Sequence, residues 1–484
     1  MLSARFRSVG LPPTGLFFGC QMPKIAHSQA HTCNICLSWY FPWQLDFARQ
    51  VGILFLPRKP FHYISLNNPG LRRGRLHRSA RLLAPIMLTA IASLSISGIT
   101  QAEELPDAGN YRPATFQQLS PGQLPQPVSP AEQLDFSAYK NWLQAQINEL
   151  EIPGVALAIV SSRGLIDVQT LGVRSVAENT AVDAQTVFRI ASVSKTFAGT
   201  VASQLVSHNI FSWDDPVAGI LPQYSIGTDP ATQSMTLRHV LSHSTGLMPH
   251  AFSNMLDAGV AYQKIQEKFH EIPTVCAPGE CYGYQNVVFS LVADVVEASL
   301  QTHYDDFVRE NIFAPLQMRS ASMGYEDYIN NPYASQPHQR GRGGWRVSTT
   351  NPAYYTAGPA AGVNATIVDM ARWVQANLGG VPDVVSPELL AMQHTPVVET
   401  PYGNYFNRWP KVQKAWYGLG WRIMDYDGVR IVHHGGGVRG FRSEMVLIPE
   451  YDVGMVVLFN ATTSLANDVV PQFLDTVLAE VTSQ

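Results

Sequence analysis

Two strand-like runs at 155–160 and 165–171 constrain this fold most, because the next runs of their kind begin only at 418. The first two flank a Ser161-Ser162-Arg163-Gly164 turn and read as a hairpin. Further apolar, β-branched runs follow at 418–426, 429–432, 441–448 and 453–459, split by the turns Asp427-Gly428 and Glu450-Tyr451-Asp452. Helical spacing marks 136–150 and 465–481, and the middle, about 190–395, is mainly helical with Pro- and Gly-rich interruptions. A hairpin has to bury its apolar face, and its suitable partners lie at the far end of the chain. The expected fold is α/β: a mostly antiparallel sheet built from the N- and C-terminal parts of the domain, flanked by helices, with an inserted helical subdomain.

That domain is expected over 134–484. Residues 103–133 are rich in Pro, Gln and Ser and read as a linker. Residues 71–102 read as an export signal. Arg72, Arg73, Arg75, Arg78 and Arg81 precede an apolar run at 82–99, and Thr100-Gln101-Ala102 offers a cleavage site. A membrane-spanning helix is the second reading, since the run nears the length of about 18 residues that a span needs. Its Ala, Ser and Pro85 favour cleavage, so a periplasmic or secreted protein is expected. Residues 1–70 carry no sustained period and read as a mis-assigned or disordered extension. His27, His31, Cys33 and Cys36 could instead hold zinc, but one C-x-x-C with nearby histidines is a weak signal for a four-ligand site.

The net charge of −4 gives no footprint for nucleic acid. Phosphate-loop, H-E-x-x-H and EF-hand patterns are absent from the sequence. No cofactor or metal is expected. The expected partner is a small-molecule or peptide substrate, with membrane contact only through the export signal and the oligomeric state left open.

The chemistry centres on Ser192-Val193-Ser194-Lys195. Residues three apart on a helix share a face, so this hydroxyl and amine can meet. A serine needs an adjacent base to become a nucleophile, and a lysine serves as one only when its pKa falls. By itself S-x-x-K is weak, and a second copy, Ser137-Ala138-Tyr139-Lys140, lies on the first amphipathic helix. A solvated Ser and Lys are the ordinary expectation there. Ser192 is distinguished by two downstream motifs in a fixed order, Tyr284-Gln285-Asn286 and then His434-Gly435-Gly436. With L-S-H-S-T-G-L at 241–247 and G-P-A-A-G-V-N-A-T at 358–366, the chain over about 135–482 resembles the class C β-lactamase and D-Ala-D-Ala peptidase superfamily. That group of penicillin-recognising serine hydrolases includes related esterases and D-aminopeptidases. G-x-S-x-G is absent, as is S-D-N, and Ser207-His208-Asn209 lies too close to Lys195 to replace the latter.

The resemblance implies that Ser192 attacks a carbonyl and forms an acyl-enzyme. Tyr284 as phenolate, Lys195, or the two sharing a proton would handle proton transfer. Asn286 would bond Lys195 and the substrate amide, while the N–H groups of Ser192 and Gly437, beside Gly436, would form the oxyanion hole. His434 stands where class C β-lactamases place lysine, which removes a permanent charge and makes β-lactam turnover less secure than the fold. Arg439 and Arg442 either bind a substrate carboxylate or are solvated strand-edge residues. His433 receives no role. Cys276 and Cys281 flank Pro278-Gly279 and, after export, are expected to form a disulfide bracing Tyr284, with two free thiols as the alternative. The expected function is hydrolysis of a β-lactam, a D-amino-acid peptide or a short ester. A slowly deacylating penicillin-binding sensor or envelope scaffold is the alternative, because it could keep the same three side chains.

Overall fold

The computed structural model describes residues 129–401 and 409–483, all within one compact unit. The expectations for the extension, the zinc ligands, the export signal and most of the linker concern residues outside these. At its near end the expected linker already belongs to the fold. Ala131 is fully buried, and Ser129 Oγ donates to Asp452 Oδ2 at 2.6 Å. The same carboxylate accepts from the N–H and hydroxyl of Ser162 in the first hairpin turn.

The hairpin is β1 (Gly154–Ser161) and β2 (Gly164–Gly172). Two short strands, β3 (Phe188–Arg189) and β4 (Ser322–Met323), lie in the middle of the chain, followed by the hairpin β5 (His338–Gly341) and β6 (Gly344–Val347) and then β7 (Val363–Ala365). The C-terminal part supplies β8 (Val398–Glu399), β9 (Val412–Tyr417), β10 (Arg422–Tyr426), β11 (Val429–Val438), β12 (Phe441–Ile448) and β13 (Val453–Phe459). The main sheet runs in the order β2-β1-β13-β12-β11-β10-β9-β8, and β3-β7-β4 form a small second sheet. The main sheet is antiparallel, and β1 meets β13 with Val155 opposite Phe459 and Ala158 opposite Val456.

All eight residues of β1 are buried because helices cover both faces. Successive side chains point to opposite faces of a strand, so β1 feeds two cores. Val155, Leu157 and Ile159 join the core formed with α1 (Ser137–Glu149) and the terminal helix, Val469–Ser483. Tyr139, Leu143 and Ile147, four residues apart, form the buried stripe of α1, and Phe473 packs against Tyr139 at 5.3 Å. Ala156, Ala158 and Val160 join the other core, which holds α2 (Ser194–Ser207) and Ile367–Asn377.

Two of the expected strands differ in their bounds, and β8 and β9 of the main sheet lie where the sequence reading expected no strand. β11 runs on to Val438, through three glycines that carry no strand signal, and β10 starts only at Arg422. The turn between them is as expected: Asp427 and Gly428 both take positive φ, as a two-residue hairpin loop requires.

Candidate active site

Ser192 sits in a single 3-10 turn, Ala191–Val193, that leads into α2. The turn is pinned from two sides: the Ile190 N–H donates to Val363 O at 3.2 Å, and Ile190 O accepts from Ser443 Oγ of β12 at 2.6 Å. Ala191, just before Ser192, takes φ of +51°, an unfavourable conformation for a residue with a Cβ. Beyond it α2 is buried almost all round, as a helix through a core must be. Phe197 stacks on Trp373 at 4.0 Å, and the Trp373 indole N–H donates to Thr196 Oγ1 at 2.9 Å.

In the first turn of α2 lies Lys195, fully buried. Its Nζ is 2.8 Å from Asn286 Oδ1, 3.0 Å from Ala360 O and 3.5 Å from Ser192 Oγ. It also lies 4.8 Å from the centre of the Tyr284 ring. Burial, and secondarily the charge of Arg422, pushes the amine well below the usual lysine range. Tyr284 and Ser192 border one cavity. Burial raises the pKa of Tyr284, while Arg422 and the nearby Ser192 hydroxyl pull the other way.

Two glycines explain why a β10 residue reaches this pair. A Cβ on Gly420 would meet Lys195 O at 2.4 Å, and one on Gly199 would meet Leu419 O at 2.2 Å. The segment before β10 therefore lies directly on α2 and delivers Arg422, whose guanidinium sits 5.4 Å from the centre of the Tyr284 ring. Sequence reasoning missed Arg422, which belongs to none of the three motifs. A Cβ on Gly436 would likewise meet Ile190 O at 2.2 Å and Ser192 N at 3.2 Å, so this part of β11 fits against the turn of Ser192 only as glycine.

The loop bearing Tyr284 is held by the 241–250 segment. Gly279 N–H donates to Ser244 O at 2.7 Å, and Tyr284 O accepts from His250 N–H at 2.7 Å. His243 grips both neighbours of the tyrosine: its carbonyl accepts from Gly283 N–H at 2.7 Å and its Nδ1 from Gln285 N–H at 3.2 Å. Its ring lies 4.2 Å from that of Tyr284. Burial, helped by the charge of Arg422, keeps this imidazole neutral, and its accepting Nδ1 places the proton on Nε2. Cys276 and Cys281 are joined by a disulfide at the base of the loop. The L-S-H-S-T-G-L pattern was visible in the sequence, but nothing in it assigned His243 this role.

His434 is fully buried and is not among the residues lining the cavity in front of Ser192. Its Nδ1 donates to Gly435 O at 2.8 Å, so its Nε2 accepts from the Tyr417 hydroxyl at 2.8 Å. Burial and the charge of Arg422 keep it neutral, so the permanent charge next to Tyr284 comes from Arg422. The cavity, about 640 Å³, is lined by Ser192, Tyr284, Arg422, Gly436, Gly437 and Arg442 among others. Arg442 Nη2 donates to Glu444 Oε1 at 3.0 Å, and Glu444 Oε2 accepts from His433 Nε2 at 2.9 Å. Arg439 is exposed and lines a neighbouring cavity. The competing pair is far less enclosed: Ser137 is exposed, and Lys140 bonds Asp167. Among the described residues no group of three or more His, Cys, Asp or Glu side chains could hold a metal, and no helix is long and apolar enough to cross a membrane.

A family model described as Beta-lactamase matches residues 140–477. The chain belongs to the beta-lactamase family. This beta-lactamase-family chain is 28% identical over 336 residues to "Unguisins hydrolase ungD'" of Aspergillus campestris, covering 66% of this chain and 60% of that one. It is 24% identical over 348 residues to "Penicillin-binding protein 4" of Amycolatopsis lactamdurans, covering 70% and 90%. It spans about 60% of the length of the Aspergillus relatives it matches. The fold is similar to that of the octameric penicillin-binding protein homologue from Pyrococcus abyssi, with a TM-score of 0.63, 21% identity and coverage of 72% of this chain and 78% of that one.

Proposed function

We propose that this family member cleaves an amide or ester bond through an acyl-enzyme on Ser192, with Lys195 as the base. The observation that carries this reading is the set of contacts around Lys195. A neutral amine has two N–H groups and one lone pair. Asn286 Oδ1 and Ala360 O, at 2.8 and 3.0 Å, take the two N–H groups, which leaves the lone pair for the Ser192 hydroxyl. Burial and Arg422 favour that neutral form.

In this mechanism Ser192 Oγ attacks the carbonyl as its proton passes to Lys195 Nζ. Charge develops on the carbonyl oxygen, where the N–H groups of Ser192 and Gly437 would receive it. Tyr284, kept protonated by burial, donates its hydroxyl proton to the leaving group and regains one from Lys195. Water then attacks the ester by the reverse route and frees Ser192. The names of two relatives point to different substrates, unguisins for one and penicillin binding for the other, and both suit acyl transfer to serine. Arg422 and Arg442 on the cavity wall favour a substrate with a carboxylate near the reacting bond.

The test is labelling by a fluorophosphonate and a penicillin probe. It is joined to kinetics on nitrocefin, a D-Ala-D-Ala peptide, a D-aminoacyl anilide and p-nitrophenyl butyrate. Ser192→Ala is expected to abolish labelling and cut turnover by several orders of magnitude. Ser137→Ala is expected to change neither, and full labelling of Ser192→Ala would refute the assignment.

A further inference from the structure

Beside the catalytic cavity lies a second one of about 330 Å³, and the two share Gly437 and Arg442 in their walls. Arg189, from β3, lines it although the residue is only 2% exposed. Its guanidinium lies 4.2 Å from the centre of the Tyr355 ring, which covers one face of the group but offers no acceptor in its plane. Tyr355 is itself held, its hydroxyl donating to Asn364 Oδ1 at 2.7 Å. Arg189 Nε and Nη2 are buried and have no hydrogen-bond partner among the described residues. An arginine keeps its charge at any working pH, and buried charges are normally paired. Arg189 reaches the cavity wall with its guanidinium short of acceptors, which marks a place for an anion brought in from the cavity.

The rest of the wall fixes the sign and size of that acceptor's charge. Arg439 and Arg442 also line the cavity, as do Asp257 and Tyr354. Arg442 is paired with Glu444. Three arginines against Asp257 and Glu444 leave a surplus of one positive charge, which suits a monoanion. A planar carboxylate matches the fork of a guanidinium. Because Gly437 faces both cavities, a substrate whose reacting carbonyl lies at Ser192 can extend past it into the second.

We propose that this second cavity is a subsite in which Arg189 and Arg439 hold a carboxylate carried by the substrate away from its reacting bond. The proposal rests on the hydrolase reading for its substrate, and its test separates the two. Mono(p-nitrophenyl) esters of α,ω-diacids of increasing length are compared with the same compounds methylated at the far carboxylate. The readout is the ratio of kcat/KM, acid over methyl ester, within each protein. At one chain length this ratio should reach about tenfold, in line with a charge-assisted hydrogen bond. In Arg189→Lys it should fall, because a lysine loses the fork and the stack on Tyr355. In Arg439→Gln, at an exposed position that does not threaten folding, it should fall as well. Thermal melting of Arg189→Lys checks that it folds, and Arg439→Gln carries the test if it does not. Calorimetry on Ser192→Ala measures binding of diacid monomethyl esters against dimethyl esters and is independent of turnover. Turnover of the methyl esters with no acid preference at any length, and no tighter acid binding, overturns the subsite and leaves the hydrolase reading standing. Loss of all turnover and labelling would sink the hydrolase reading, and calorimetry would still decide the subsite. An acid preference unchanged in both arginine variants also overturns it.

Discussion

At the scale of single residues, the site is organised by one cation that belongs to no motif. Arg422 supports deprotonation of both neighbours: it depresses Lys195 and opposes the burial that raises Tyr284. The consequence for pH has a definite sign. On the proposed mechanism Lys195 acts as a base only when neutral, so kcat/KM is expected to fall as pH drops through its lowered pKa. Removing a nearby positive charge makes the ammonium form easier to reach and raises that pKa. Arg422→Gln is therefore expected to move the acid limb of the pH–kcat/KM profile to higher pH, and an unmoved limb would show that burial alone sets Lys195. His243 supports a second residue-scale prediction. It holds the peptide units on both sides of Tyr284, and its own φ is +58°. His243→Ala should lower kcat by roughly a hundredfold through misplacement of Tyr284. His243→Asn should recover part of the loss, since asparagine tolerates that φ and offers an acceptor to Gln285 N–H. Steady-state kinetics should place the change in kcat with little change in KM, and equal loss in both variants would argue against positioning.

At the scale of elements, the disulfide and the 241–250 segment together fix the loop that presents Tyr284. The Cys276–Cys281 ring is small, so its removal should cost stability at or below the usual ~2–4 kcal/mol. Cys281→Ser is expected to reduce turnover more than it lowers the melting temperature, and thiol titration of the denatured, unreduced protein should find no free thiol from this pair. A variant that melts much earlier yet turns over normally would reverse that ranking. The elements also show what could be read from the chain alone. The hairpin β1–β2 and strands β12 and β13 were legible because alternating or continuous apolar runs mark them directly. Strand β11 was legible only up to Val432, because the glycines that let it approach Ser192 carry no side-chain period. The site motifs were legible as an ordered set. Arg422 and His243 were not, since each acts through a tertiary approach, Gly420 against α2 in one case and a left-handed turn in the other, that local spacing does not encode.

At the scale of the whole molecule, both cores depend on the C-terminal segment. Val469, Val470, Phe473, Leu474 and Val477 of the last helix are fully buried against the stripe of α1 and the outer face of the sheet. Losing five such side chains removes about 8–15 kcal/mol of apolar burial. That matches the whole stability of an ordinary domain, about 5–15 kcal/mol. Deletion of residues 469–483 is thus expected to abolish the cooperative thermal transition, with loss of near-ultraviolet circular dichroism, and a variant that melts cooperatively would contradict the two-core description. The pairing of β1 with β13 has a further consequence, in time rather than in space. A ribosome adds about 5–20 residues per second. The roughly 290 residues between the end of β1 and the start of β13 therefore take about 15–60 s to make. Throughout that interval the first hairpin waits without β13, and the turn of Ser192, once made, waits for β11 and β12 for most of it, so the site stays incomplete until the last strands dock.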